Sequence, residues 1–209
     1  MSITLQPTLK GFDGIKRFID KRREIVVAKI LPGELYVTKN NEIVSTVLGS
    51  CISACIWDEK MGIGGMNHFM LPIKRDMHGA HGWENDLSYT CRYGHWAMEH
   101  LINEIMKNGG QRDNLLAKVF GGGKIVPNMS DVGESNIDFV RHFLREEHIP
   151  VVAHDVGGPW PRKVLFHPNS GTVKMKKLRS LHNDTIQARE SIYMEGIKEE
   201  QQQSDIELF

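Results

Sequence analysis

Cysteine is scarce in this chain, with three in 209 residues. An odd, small set excludes a disulfide framework and fits a reducing compartment. Cys51 and Cys55 are four apart; on a strand they share a face but sit roughly 13 Å from each other, too far for a disulfide. An excess charge of either sign is also missing, because Lys+Arg and Asp+Glu both number 26. Nucleic-acid binding rests on a basic balance, so none is expected. No run approaches the roughly 18 apolar residues of a membrane span, which argues against membrane insertion. The opening stretch, MSITLQPTLKGFDG, lacks the charged-then-apolar order of a secretion signal, so a cytoplasmic protein is expected.

Two ligand patterns fail as well. His78, His81, Cys91 and His95 invite a metal reading, but no closed four-ligand pattern such as paired CxxC emerges. Gly121-Gly122-Gly123-Lys124 follows a predicted strand, yet Lys118 stands where a phosphate-binding loop needs glycine, and Ile125 where it needs Ser or Thr. No metal and no cofactor are expected. The glycines are read instead as permitting close backbone packing near a site.

What is present is concentrated in residues 46–72, TVLGSCISACIWDEKMGIGGMNHFMLP. Residues 50–57 read as a largely buried strand, 58–61 as a four-residue hairpin loop, and 62–71 as the returning strand stopped by Pro72. Pairing Trp57 with Gly62 sets Cys51 directly opposite His68 on one face, with Cβ atoms roughly 5 Å apart. A thiol beside an imidazole is the minimum apparatus of a cysteine nucleophile. A one-residue slip would put the two on opposite faces. Gly49-Ser50 ahead of Cys51 lets the backbone bend and a substrate approach. A buried structural cysteine with a hydrogen-bonded histidine beside it is the competing reading.

Elsewhere the pattern is of many short strands and two main helices. Residues 14–24 place Ile15, Phe18 and Ile19 on one stripe, predicting a short amphipathic helix. Residues 25–31, 35–38 and 43–48 read as strands. Residues 74–89, KRDMHGAHGWENDLSY, form a long polar loop of the kind that often borders a site. The clearest helix spans 89–108, with an apolar face of Trp96, Met98, Leu101, Ile102, Ile105 and Met106. A strand at 115–120 leads into the glycines, and a helix at about 136–147 turns Ile137, Val140, Phe143 and Leu144 to the core. Strands follow at 149–156, 162–167 and 171–178. Lys174, Lys176, Lys177 and Arg179 make a basic edge, read first as an edge strand blunted by lysine. The predicted organisation is an N-terminal amphipathic extension (1–24), one main domain (25–182) and a polar, partly disordered tail (183–209) with a marginal helix at 187–200.

Several short segments resemble one family. Thr-Val-Leu-Gly-Ser-Cys (46–51) and Gly-Gly-Met-Asn-His-Phe-Met-Leu-Pro (64–72) are similar to the signature of CheD, the chemoreceptor glutamine deamidase of bacterial chemotaxis. The resemblance continues in order through Arg92-Tyr93-Gly94, Ala97-Met98-Glu99, Lys118-Val119-Phe120-Gly121-Gly122, Val132-Gly133-Glu134 with Asn136, Asp155-Val156-Gly157-Gly158, and Arg162-Lys163-Val164 with Phe166.

The resemblance implies an α+β fold of layered β-sheets flanked by helices, similar in architecture to the catalytic domain of cytotoxic necrotizing factor toxins. It also implies hydrolysis of glutamine side chains on chemoreceptor cytoplasmic domains to glutamate, with Cys51 as nucleophile and His68 as base and acid. A threonine hydroxyl upstream of the cysteine orients the histidine in the family. Here Thr46 preserves the residue type and the neighbouring Ser45 is the alternative. Backbone N–H groups near Ser50–Cys51 are the expected oxyanion donors, and Asn67 should point to the opposite face from His68. The Cys–His pair by itself does not separate deamidation from peptide cleavage. Some family members bind the phosphatase CheC, which implies a possible partner and keeps a non-catalytic adaptor as the rival. A thiol redox sensor would need a resolving cysteine that Cys55 is badly placed to supply.

Overall fold

The computed structural model describes residues 3–71, 89–125, 130–179 and 184–206. Among the described residues ten strands form two five-stranded mixed sheets. The first sheet holds β1 (Lys16–Asp20), β2 (Ile25–Lys29), β4 (Glu42–Leu48), β9 (Arg162–His167) and β10 (Thr172–Lys177), in that spatial order. The second runs β3 (Leu35–Thr38), β6 (Ile63–Asn67), β5 (Ile52–Asp58), β7 (Leu116–Gly121) and β8 (Val151–Val156). Helices α1 (Tyr89–Lys107) and α2 (Ser130–Glu146) cover the second sheet. A third, α3 (Asp184–Ile206), docks at the crossing between the sheets. This is the α+β arrangement of layered sheets and flanking helices that the resemblance implied.

The inner faces of the two sheets meet in an apolar core. Trp57 of the second sheet packs edge-on against Phe166 of the first, with ring centroids 6.1 Å apart. β-branched and aromatic residues at alternate positions supply the rest, as expected for strands with a buried face. The helices add Ala97, Met98, Leu101, Ile102 and Ile105 from α1, and Ile137, Val140, Phe143 and Leu144 from α2. The α2 stripe is the predicted one. Of the predicted α1 face, Met98, Leu101, Ile102 and Ile105 are buried, whereas Trp96 is 52% exposed and Met106 37%. His95 lies against the rings of Phe139 and Phe143 and so packs α1 on α2.

Two predicted elements change. Residues 16–20 are a strand, not a helix: β1 pairs antiparallel with β2, Phe18 opposite Val27. Asp20 closes the turn by accepting from the N–H groups of Arg22 and Arg23, and Glu24 takes a positive φ of 50°. The helical spacing of Ile15, Phe18 and Ile19 yields because an edge β-ladder satisfies five residues at once, which a short isolated helix does not. At the other end, α3 runs through Ile206, beyond the marginal helix expected at 187–200. The long loop after Pro72, with His78 and His81, lies outside the described residues. β10 is an edge of its sheet, as read from its lysines.

Candidate active site

β4 belongs to one sheet and β5 to the other, and Gly49-Ser50-Cys51 is the link that crosses between them. The crossing is held on all sides. Gly123 N–H donates to the Gly49 carbonyl at 2.7 Å, and Gly122 N–H to the Cys51 carbonyl at 2.8 Å. Gly121 has φ of 116°, and a Cβ there would lie 2.2 Å from the Cys51 oxygen, so only glycine allows this approach. The glycine-rich turn therefore packs against the cysteine loop, as its composition suggested. From α2, the wholly buried Asn136 donates to the Ser50 carbonyl at 2.8 Å and accepts from Leu71 N–H at 2.8 Å. One side chain thus ties the cysteine loop to the segment that follows His68.

The hairpin register differs from expectation by two residues. Trp57 pairs with Gly64 rather than Gly62, and an isolated bridge joins Ile52 to Phe69. The turn occupies 59–62, where Gly62 adopts a positive φ of 60°. Asp58 accepts from Met61 N–H and Gln111 N–H, which favours this turn over one that begins at Asp58. A shift of two keeps every side chain on its face. Cys51 and His68 remain on the same side, related diagonally instead of directly opposite.

His68 faces into the gap between the sheets and is 2% exposed. Its Nδ1 lies 2.8 Å from Thr46 Oγ1 of the other sheet, and that hydroxyl donates to the Ile30 carbonyl at 2.9 Å. Along β4, side chains alternate, so Ser45 points away from the face that carries Thr46. The structure brings Thr46 to His68 and leaves Ser45 aside. Asn67 points toward α1, accepting from Ala54 N–H and donating to the Ala97 carbonyl, on the opposite face as expected.

A third group occupies the site. Glu190 of α3 is 2% exposed, and its carboxylate sits on the cysteine loop. Oε1 accepts from the N–H groups of Gly49 (2.8 Å) and Cys51 (3.2 Å). Oε2 accepts from Ser50 N–H (2.9 Å) and Ser50 Oγ (2.6 Å). A ring nitrogen of His68, Cys51 Sγ and a Glu190 oxygen all lie within 4.8 Å of one another. Thiol, imidazole and carboxylate are a conceivable ligand set for a metal ion, but both carboxylate oxygens here face hydrogen-bond donors, which repel a cation. Burial pushes the Cys51 thiol well above its usual range, and the charge and hydrogen bond of Glu190 add to that. Burial alone lowers His68 from 6.5 to about 3. In this arrangement the pair is a neutral thiol and a neutral imidazole.

Glu190 and Asn136 were not singled out as site residues from the sequence. Asn136 carried only its place in a familiar segment. Glu190 stands among many Glu and Gln residues of a polar tail and has no local signature.

Fold and site together define an α+β protein whose cysteine–histidine pair lies between two sheets, with backbone N–H groups converging beside the thiol. Residues 70–177 match the family described as CheD chemotactic sensory transduction. The chain is 45% identical over 208 residues to the probable chemoreceptor glutamine deamidase CheD of Halorhodospira halophila, covering 99% of this chain and 95% of that one. It is 47% identical over 202 residues to that of Hahella chejuensis (97% and 94% covered). With that of Thiobacillus denitrificans it is 48% identical over 194 residues (92% and 94%). This chain belongs to the CheD family.

Proposed function

We propose that this protein hydrolyses glutamine side chains on the cytoplasmic domains of chemoreceptors to glutamate, releasing ammonia, with Cys51 as nucleophile and His68 as proton carrier. The observation that carries the reading is the convergence of the Gly49, Ser50 and Cys51 N–H groups on one carboxylate beside Cys51 Sγ and the His68 ring. Such donors suit the oxygen of a carboxamide as it becomes an oxyanion. His68 takes the thiol proton and the thiolate attacks the amide carbon. The tetrahedral intermediate collapses as His68 returns the proton to the leaving ammonia. Water then attacks the thioester, giving up its proton to His68 and regenerating the thiol. Thr46 holds the imidazole by Nδ1, leaving Nε2 for the thiol; a hydroxyl carries no charge to stabilise imidazolium, so a modest rate is expected. The relatives' names, each a probable chemoreceptor glutamine deamidase, supply the substrate. Among the described residues no helix is long and apolar enough to cross a membrane.

The test is ammonia release and intact mass of a purified receptor cytoplasmic domain, with wild-type, Cys51→Ala and His68→Ala chains. The mass gain of amide-to-acid conversion, abolished in both variants, is the expected result. No gain with the wild-type chain on a receptor from the same cell would favour the adaptor reading, with a CheC-type phosphatase as the partner to seek.

A further inference from the structure

The carboxylate on the cysteine loop belongs to the protein's own C-terminal helix. Glu190, Met194 and Ile197 lie four and three residues apart on α3 and are all buried, at 2% exposure each. Among the described residues of α3 they form the face by which the helix seats, consistent with helical periodicity. Tyr193 lies alongside it: a Cβ on Gly33 would come within 3.1 Å of the Tyr193 ring, and the Tyr193 and Tyr93 hydroxyls are hydrogen-bonded. The outward face is solvated, with Ile192 68% exposed. The seat is thus a narrow stripe with one buried acid at its head. Among the described residues no ion pair includes that acid. Three N–H groups, the Ser50 hydroxyl and the Cys51 thiol are its partners. A buried anion needs such compensation, and charge-assisted hydrogen bonds provide it.

A glutamate side chain is what glutamine deamidation leaves behind. We propose that α3 is an intramolecular product mimic: the Glu190 carboxylate holds the donors that a substrate glutamine must use, and the helix covers Cys51 until a substrate or partner displaces it. The proposal rests on the deamidase reading above and adds its regulation. It accounts for the full burial of Cys51, at 0% exposure, in a site meant to receive a protein side chain. It also fits the glycine at position 49, where a Cβ would lie 2.1 Å from Ile125 Cδ1 and 2.7 Å from both Glu190 oxygens, so that the seated carboxylate and a side chain there are incompatible. The neutral state of thiol and imidazole is what an occluded site would show, because the seated carboxylate opposes a thiolate beside it.

Two full-length variants test this, Glu190→Ala and Glu190→Gln. The first removes the plug. The second keeps its volume but turns an NH2 toward backbone N–H donors, so it separates the carboxylate from mere packing. The first readout is alkylation of Cys51 by iodoacetamide under native conditions, followed by peptide mass. Cys55, buried in β5, is the internal control, since it reacts only if the chain unfolds. Both variants are expected to label Cys51 at least about tenfold faster than wild type, the change a modest loss of local closing stability produces, with Cys55 protected. The second readout is receptor deamidation, where both variants should show a lower KM than wild type. Equal Cys51 labelling in all three chains overturns the proposal, and so does a KM that is unchanged or raised in both variants. If no chain deamidates the receptor, the deamidase reading fails and the labelling comparison still decides whether α3 covers the thiol.

Discussion

Thr46 Oγ1 stands between His68 Nδ1 at 2.8 Å and the Ile30 carbonyl oxygen at 2.9 Å. A carbonyl only accepts, so the single hydroxyl proton goes to Ile30, and Thr46 must accept from His68 Nδ1–H. The lone pair is thereby fixed on Nε2, a buried atom with no protein hydrogen-bond partner. A bond across two sheets thus sets the tautomer a general base needs.

Thr46→Val removes that acceptor while keeping the shape. Positioned proton transfer contributes about 10²–10⁴-fold, and losing the orienter forfeits a part of it. The expected result is a kcat lower by about tenfold to a hundredfold with KM little changed. Thr46→Ser should retain most of the rate. Ser45→Ala, on the other face of β4, should match wild type. Steady-state deamidation kinetics on the four chains check all three statements.

Asn136→Ala leaves the Ser50 carbonyl and the Leu71 N–H without their buried partner. Each unsatisfied buried group costs about 1–3 kcal/mol. A loss of about 2–6 kcal/mol in urea unfolding is therefore expected, with a faster loss of activity than of secondary structure as denaturant rises. Asn136→Asp retains the acceptor for Leu71 but has no donor for Ser50, so it should also lower the rate per folded molecule.

Two glycines at positive φ differ in what an added Cβ would meet, and Gly121 also lies further from the left-handed region open to other residues. At Gly158, φ is 72° and a Cβ would meet nothing within 4 Å. At Gly121, φ is 116° and the Cβ would strike the Cys51 carbonyl at 2.2 Å. Gly158→Ala should cost about 1 kcal/mol and spare activity. Gly121→Ala must move the cysteine loop, so it should cost more than about 2 kcal/mol and strongly reduce turnover. Thermal unfolding and activity of the two variants, side by side, distinguish the cases.

How far this was legible in the sequence follows from the range of each interaction. Strands β2 to β10 read well because turn residues and alternating apolar positions are local signals. The Cys51–His68 face also read correctly, although the hairpin pairs two residues further along. Asp58 acts as an acceptor for Gln111 across the fold, and no pattern within the hairpin announces that. β1 was hidden because Ile15, Phe18 and Ile19 fit a helical stripe as well as a strand, and only pairing with β2 decides. The α1 face read too broad, taking in Trp96 and Met106, because an exposed tryptophan or methionine is indistinguishable from a buried one in sequence. Glu190 was the least legible: its partners lie about 140 residues away, and nothing near it in the tail marks it out.

Acid titration offers the last prediction. In the folded chain burial holds His68 at about 3 instead of its ordinary 6.5. Between those values the unfolded chain binds a proton that the folded chain refuses, so falling pH favours unfolding. The stability linked to His68 is fully present above about pH 6.5 and declines as pH falls toward 3, by at most about 1.4 kcal/mol per pH unit. His167, also lowered by burial and by Lys174, titrates in the same direction. The carboxyls of Asp58, held down by the N–H groups of Gln111 and Met61, and of Asp155, held down by Arg162 and Lys177, lose their stabilisation only as pH falls below the usual carboxylate range. Wild type is thus compared with His68→Asn, which keeps a hydrogen-bonding group near Thr46 but does not titrate. Urea unfolding at pH 7.0, 6.0 and 5.0 should show a steeper decline in wild type than in the variant, by up to about 1 kcal/mol per pH unit. Parallel declines would mean that His68 takes up its proton in the folded state, and that water reaches the imidazole without unfolding of the chain.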